Sequence, residues 1–319
     1  AGEMPMQLND KILLNEDGGD SSFGALVLSK TFGDVTVVAA DIRVSEGNTG
    51  NSTTTTTSDD DDMDIYLLSL LGPMGNMNYN LTAAYIDVQR QAGVFRTQNT
   101  TDDVDNLWLA GTIGTKLGGI DLTATIIYEA GYDNVMQNTT VDNEMLEGSG
   151  VMAALRLSGS TSFGGWNAYG FYGSEDFDSI SNRPNWSYNY ASSASDLMHI
   201  ALTQNGVGGG VDANDSGENA WGLGLGLKVK AGNWTITPQL DYVALTEDTY
   251  TVAGTTTRAE IESAWGGSLG LSTSIDTGTT LSLIGSWADP EDGNSTNNTT
   301  TTCKTDDMHT LLAEIKIKF

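Results

Sequence analysis

The sequence predicts an all-β protein, a transmembrane antiparallel up-and-down β-barrel of about fourteen strands, with twelve or sixteen also compatible. Three observations lead there. Segments carrying apolar residues at every second position recur from end to end of the 319 residues, and that period belongs to strands with one greasy and one wet face. The links between these segments are alternately long and very short. Aromatic residues gather near segment ends on the apolar side, where lipid-facing Trp and Tyr collect at the two membrane interfaces.

In chain order the segments are 5–14, 21–31, 34–45, 63–71, 78–89, 105–116, 120–131, 148–160, 165–175, 217–230, 233–247, 258–275, 278–289 and 306–319. The short links, 32–33, 72–77, 117–119, 161–164, 231–232 and 276–277, carry the Gly and Asp that tight turns need. The long links, 46–62, 90–104, 132–147, 176–216, 248–257 and 290–305, are polar, acidic and low in complexity. A soluble sandwich of many strands has no reason to sort its loop lengths in this way.

The alternation is cleanest in the second half. Trp221, Leu223, Leu225, Leu227 and Val229 share one face of their segment, and Gly222, Gly224, Gly226, Lys228 and Lys230 share the other. Trp234, Ile236, Leu240 and Tyr242 oppose Thr235, Thr237, Gln239 and Asp241. Earlier in the chain Ile120, Leu122, Ala124, Ile126 and Tyr128 oppose Asp121, Thr123, Thr125 and Glu129. A core of Gly, Thr, Lys and Asp cannot be a dry one, so the polar face is expected inward and the apolar face toward lipid. Two aromatic girdles follow: Trp166, Trp234, Tyr79 and Phe319 on the turn side, and Tyr66, Tyr128, Tyr172, Trp221, Trp265 and Trp287 on the loop side. Two segments fit less well, because Asp10 falls on the outward side of 5–14 and Pro238 interrupts 233–247. The proline lacks an N–H for the ladder and calls for a bulge or an edge-like pairing.

Composition sets limits. No run approaches the ~18 consecutive apolar residues of a membrane helix, the best being strand-sized, such as Val35-Thr36-Val37-Val38-Ala39-Ala40. Barrels escape that test because they show lipid only every second residue. With 42 Asp+Glu against 14 Lys+Arg the net charge is −28, which repels nucleic acid and attracts cations. Cys303 is the only cysteine, which leaves no intrachain disulfide and no cysteine metal site. The first residues, Ala1-Gly2-Glu3, show neither a charged nor an apolar leader region, so a mature form with its signal peptide removed is expected.

The final segment alternates Leu311, Ala313, Ile315, Ile317 and Phe319 with Thr310, Glu314, Lys316 and Lys318. In this it resembles the closing strand of Gram-negative outer-membrane porin-type β-barrels, which ends in Phe. The resemblance covers the whole chain as architecture and singles out no specific family. It implies the bacterial cell outer membrane, long extracellular loops, short periplasmic turns, and one barrel domain over 1–319. It implies as partners the surrounding lipid and lipopolysaccharide, the barrel-assembly machinery reading the strand that ends in Phe319, and further copies of the chain, as in a trimer.

Charge placement points to a channel. Asp41, Arg43, Asp121, Glu129, Arg156, Asp241 and Glu314 have the inward parity expected of pore-lining residues, and so does Lys116. Lys30, Lys116, Lys228, Lys230, Lys316 and Lys318 lie within a few residues of a short turn or the carboxyl end and predict a basic periplasmic mouth. Acidic residues crowd the long links, so an acidic vestibule should favour cations modestly. Such charges can instead pair with strand neighbours and serve only a wet interior. The longest link, 176–216, holds a helical spacing of Leu197, Ile200, Ala201 and Gln204 after a Ser195 cap and is expected either to constrict the lumen or to stand above it.

Other chemistry finds little support. Only His199 and His309 are present, with no nucleophile motif or phosphate-cradling loop, so no enzyme is expected. No cofactor is expected; the run Asp59, Asp60, Asp61 and Asp62 is a Ca²⁺ candidate at the outer surface, but it lacks the spacing and Gly of a calcium loop. The expected function is an outer-membrane porin for passive diffusion of ions and small hydrophilic solutes. The alternatives are a substrate-specific outer-membrane transporter and a structural or adhesive barrel displaying its acidic Thr/Asn-rich loops.

Overall fold

The computed structural model describes residues 2–3, 6–9, 14–16, 24–45, 63–88, 104–132, 149–174, 177, 220–246, 249–252, 255–258, 261–292 and 307–317. Its strands are β1 (Gly2–Glu3), β2 (Met6–Leu8), β3 (Leu14–Glu16), β4 (Gly24–Phe32), β5 (Val35–Ser45), β6 (Met63–Met74), β7 (Met77–Val88), β8 (Val104–Leu117) and β9 (Ile120–Tyr132). They continue with β10 (Val151–Thr161), β11 (Gly164–Gly173), β12 (Ala220–Ala231), β13 (Trp234–Leu245), β14 (Thr249–Val252), β15 (Thr255–Arg258), β16 (Ile261–Ser274), β17 (Thr279–Asp292) and β18 (Met308–Ile317).

Fourteen strands form one sheet in the order β1-β4-β5-β6-β7-β8-β9-β10-β11-β12-β13-β16-β17-β18. Apart from the step from β1 to β4 and the step over β14 and β15, each strand pairs with its neighbour in sequence. That is an up-and-down meander. Thirteen of the predicted segments are present, most within three residues at each end.

The first predicted segment is not. Among the described residues of 5–14, Met6–Leu8 is a strand and Leu14 begins β3, and the two pair as a separate hairpin, Leu8 opposite Leu14. The position beside β4 belongs to the two residues of β1, with Gly2 opposite Ala25. At Asn9 the backbone enters the left-handed region, φ 49°, which Asn tolerates better than most residues. The side chain of Asn9 is buried and donates weakly to the Asn80 carbonyl at 3.4 Å and to Thr112 Oγ1 at 3.3 Å. A second departure is the hairpin of β14 and β15, which falls on the predicted link 248–257.

Glycine explains the short turns. Gly33, Gly75 and Gly232 open two-residue turns at φ 62°, 65° and 63°, the conformation a type II′ hairpin demands at its first position. Gly118 and Gly119 are both positive, as in type I′. The bend at 275–278 has no such glycine and is held instead by Asp276, whose Oδ1 accepts from the Gly278 amide at 2.9 Å.

The sheet divides into two compact units, one holding residues up to Ile113 and Thr125–Val151, the other Gly114–Ala124 and most of the chain from Met152 onward. In each, one face is buried and the other exposed. In the first unit Leu26, Leu28, Leu68, Leu70, Leu81, Leu109 and Ile126 are on the exposed face, opposite buried Ser69, Thr82, Thr125 and Glu129. In the second, Leu223, Leu225, Leu240 and Leu269 are exposed, opposite buried Asn167, Gln239, Asp241, Ser268 and Ser286. Leu225 is 53% exposed and Asp241 2%. This inverts the arrangement of a soluble core, where leucine would take the buried side.

Aromatic residues of the exposed face sit near strand ends. In the first unit Tyr66 and Tyr85 stack near the loop end with centroids 6.4 Å apart; in the second, Trp221, Tyr242 and Trp265 form a run at 5.3 and 4.7 Å. Several cover glycines across the ladder: Trp166 lies over Gly159 and Trp287 over Gly267, replacing the contact that a missing side chain leaves open.

Pro238 produces no bulge. It stays in register opposite Leu269 on β16, while on the β12 side the ladder lapses between the pairs Gly226–Gln239 and Val229–Ile236 and resumes without a shift. The missing N–H therefore costs a local gap in pairing and no change of face.

Candidate functional site

The buried polar face is the site that the sheet builds. In the first unit it is laced by hydroxyls on neighbouring strands. Ser69 of β6 meets Thr82 of β7 at 2.8 Å, Thr82 donates to Asn80 Oδ1 at 3.1 Å, and Thr112 of β8 meets Thr125 of β9 at 2.9 Å. Toward the loop end the same face turns aliphatic with Ile42, Ile65, Leu67 and Ile127.

The second unit is different. Gly222, Gly224 and Gly226 of β12 present no side chain on the buried face, and neighbours from both flanks lie down over them. Phe171 covers Gly222, Tyr169 and Asp241 meet over Gly224, and Asn167 and Gln239 meet over Gly226, each so close that a Cβ there would collide. Tyr169 of β11 thereby reaches across β12, two strand spacings or about 9.6 Å, and donates from Oη to Asp241 Oδ1 at 2.6 Å. Gln239 Nε2 donates to the same oxygen at 2.8 Å. Two donors on one carboxylate oxygen make charge-assisted bonds, the stronger kind. Asp241 Oδ2, Gln239 Oε1 and Ser268 Oγ are buried without a donor or acceptor partner. A run of glycine on one face would by itself leave open space; the register fills it with side chains from both flanks.

Of the predicted pore-lining residues, Asp121, Glu129, Arg156, Asp241 and Glu314 lie on the buried face or share its parity. Arg156 stands opposite Tyr169 and Glu314 opposite Ser282. Asp41 and Arg43 do not. They alternate with buried Ala40 and Ile42, so they fall on the exposed face, where Asp41 lies between Leu26 and Tyr66. Ile42 takes the buried side because its cross-strand neighbours, Ala25 and Ile65, are apolar and buried too. Arg43 pairs with Asp64 at 3.0 Å, one row beyond Tyr66 toward the loop end.

The basic residues are likewise divided. Lys228 and Lys230 have the buried-face parity. Lys116 reaches Asp121 at 3.2 Å across the Gly118–Gly119 turn, and Lys316 reaches Glu314 at 3.3 Å along its own strand, local pairs of the kind that contribute little to stability. Lys30 is on the exposed face, with its Nζ 5.1 Å from the centroid of the Phe32 ring. It corrects the expectation of a mouth-lining lysine at that position: its parity is that of Leu26, Leu28 and Leu70. Lys318, Phe319, Asp59, Asp60, Asp61, Asp62 and His199 lie outside the described residues, as does the candidate helix near 197–204. Of the link 176–216 only Phe177 is described, and it is buried. His309 stands on the exposed face opposite Trp287.

Sequence reasoning missed Tyr169, Ser268 and Asn9. The signal for the first was present in Gly222, Gly224 and Gly226, since glycine inside a strand marks a close approach. Which residue approaches depends on register, and that is not written in any one segment.

No family model and no curated protein matches this sequence. Among solved structures the chain is similar to Pseudomonas aeruginosa OccK11 (OpdR), with a TM-score of 0.56 and 8% identity over 100% of this chain and 76% of that one. It also aligns with the copper transporter OprC, at a TM-score of 0.39 and 10% identity over 85% of this chain and 46% of that one. A third alignment is to a Pseudomonas aeruginosa FadL homologue, at 0.34 and 11% over 90% and 76%. The first likeness shows the fold, an antiparallel up-and-down β-barrel of the outer-membrane type.

Proposed function

We propose that the chain is an outer-membrane channel, a porin that lets ions and small hydrophilic solutes diffuse passively, with a modest preference for cations. One observation carries the reading: the leucines are exposed while Ser69, Thr82, Thr125, Asn167, Gln239 and Asp241 are buried. In a barrel of this fold, that pattern supports lipid on the leucine side and water on the polar side. About fourteen strands lie between small barrels filled by side chains and larger ones that leave a channel. Flat-lying side chains over the β12 glycines keep the wall thin where it would otherwise fill.

The cation preference rests on the net charge of −28 and on the local pairing of Lys116 and Lys316, which blunts the basic mouth. Charged rings and the field of the whole protein set such preferences. Reversal potential across a planar bilayer under a salt gradient tests it: a small shift toward the cation potential is expected, and a clear anion preference would sink the selectivity. A protein that inserts but never conducts would favour a display barrel instead. Asn9, seated among residues of the polar face of β7 and β8, is the specific observation that favours a narrowed lumen.

A further inference from the structure

The amino-terminal segment joins the sheet at the loop end of the first unit. Gly2 and Glu3 stand opposite Ala25 and Gly24, the first residues of β4, whose other end is the turn at Gly33. Between those two anchor points the chain makes the separate hairpin of β2 and β3. Asn9, which follows β2, lies well away from that end. Its Nδ2 donates to the Asn80 carbonyl at 3.4 Å and to Thr112 Oγ1 at 3.3 Å, and Thr112 in turn meets buried Thr125. Through the pairs Gly24–Arg43, Arg43–Asp64 and Asp64–Asp87 the anchor row arrives on β7 at Asp87. Asn80 is 87 − 80 = 7 residues further along β7, toward the turn.

Burial observes the same two limits. Between the anchor row and the seat of Asn9, Ile42 and Ile65 are 0% and 1% exposed, and Ala84 and Ser69 are both 0%. At the row of Asn80 the face opens, with Leu71 and Asn80 half-exposed. Alanine and serine are too short to shield themselves, so a contiguous patch with no exposed member has a second layer over it. Among the described residues of the first unit, turns and strand ends aside, only β2, Asn9, β3 and Phe177 lie outside the sheet. Phe177 is one side chain, whereas β2 and β3 are a paired hairpin fixed at both limits of the patch, by β1 at its upper row and by Asn9 at its lower one.

We propose that the hairpin of β2 and β3 hangs from the loop end into the lumen, lies over the inner face of β5 to β7, and sets the largest solute that passes. Asn9 is the positioning residue: it latches the hairpin to β7 and β8. The inference rests on the channel reading for its consequence, a size limit, and stands without it as a layer inside the barrel.

The test removes residues 6–16 and uses two readouts. Both are made in a Cys303→Ser background, which clears the only native cysteine. In detergent, Ser69→Cys should react slowly with a hydrophilic maleimide in the full-length chain and much faster in the deletion. Asn9→Gly keeps the positive φ at no steric cost but loses both hydrogen bonds of the latch, and should speed the same reaction about tenfold, the worth of two weak neutral bonds. In planar bilayers the deletion should raise single-channel conductance and admit larger neutral polymers than the full-length chain. Equally slow labelling in the full-length chain and the deletion overturns the placement of the hairpin. Faster labelling with conductance and polymer limit unchanged overturns its role as the size limit. Labelling that responds while neither chain passes current overturns the channel reading and keeps the hairpin where it is placed. If the deletion fails to fold, Asn9→Gly supplies both readouts in the same direction by less, and labelling unchanged in Asn9→Gly overturns the latch and the proposal with it.

Discussion

In the first unit the buried face is tied by hydroxyls on adjacent strands, Ser69 to Thr82 and Thr112 to Thr125, whereas in the second Tyr169 crosses an entire strand to reach Asp241. The contrast traces to β12. With glycine at 222, 224 and 226, long side chains on β11 and β13 find a floor to lie on, and a buried carboxylate can be held by donors from two strands. The first unit offers no such floor, since β6 and β7 carry Ser69, Thr82 and Ala84 on that face. Short hydroxyls satisfy only their neighbours, so the lacing there is local and its hydrogen bonds neutral, with Glu129 as a buried charge nearer the loop end, while in the second unit it is shared and built on a carboxylate.

The exposed faces do not differ in this way, and the largest predicted effect tests that they are equivalent. Leu68→Arg in the first unit and Leu225→Arg in the second both place a cation mid-strand on the leucine face. Each should cost about 2–4 kcal/mol of folding free energy if both strands are spanned by lipid, measured by denaturant titration of protein folded into vesicles. A cost confined to one variant would break the equivalence.

The next effect in size belongs to the buried faces. Gly224→Val must push aside the Tyr169 ring and the Asp241 carboxylate, an overpacking cost of about 1–3 kcal/mol. Ser69→Ala removes one neutral hydrogen bond from Thr82, which keeps its bond to Asn80, and should cost about 1 kcal/mol. The same titration reads both. Similar losses in the two variants would mean that the β12 floor is no more demanding than the hydroxyl lacing.

How much of this was legible depended on contrast along each segment. Strands β9, β12 and β13 alternate leucine, isoleucine or tryptophan with glycine, threonine or charge over most of their length, so their faces and their turns could be read one segment at a time. Strand β5 offers Val37, Val38, Ala39 and Ala40 in succession, which marks parity weakly; the inward parity read for Asp41 and Arg43 is reversed by Ile42, buried opposite buried Ile65. The amino-terminal segment failed for a related reason. Its alternation was fair, but Asn9 turned the chain out of extended backbone, and nothing in a period-two pattern records a single positive φ. The Tyr169–Asp241 bond joins residues 72 apart, so it exists only once three strands are in register.

The smallest effect compares turns. In the first unit Gly33 and Gly75 close their hairpins by backbone conformation, which has no pH dependence. The bend at 275–278 in the second unit relies on a carboxylate: the Gly278 amide, with help from Thr279, holds the Asp276 carboxyl below its ordinary value of 3.8. A depressed value means that the carboxylate form is favoured in the folded bend, so its contribution is fully present above pH 3.8 and disappears as pH falls through the lower, folded value. Hydrogen exchange at the Gly278 amide should therefore be slower in wild type than in Asp276→Ala at neutral pH, with the two converging on acidification, while the amides flanking Gly33 show no such convergence. Because the carboxylate is exposed, global stability should hardly move. Equal exchange in the two proteins at every pH would show that the bend is set by its neighbouring strands alone, and the two kinds of turn would then differ in sequence but not in what holds them.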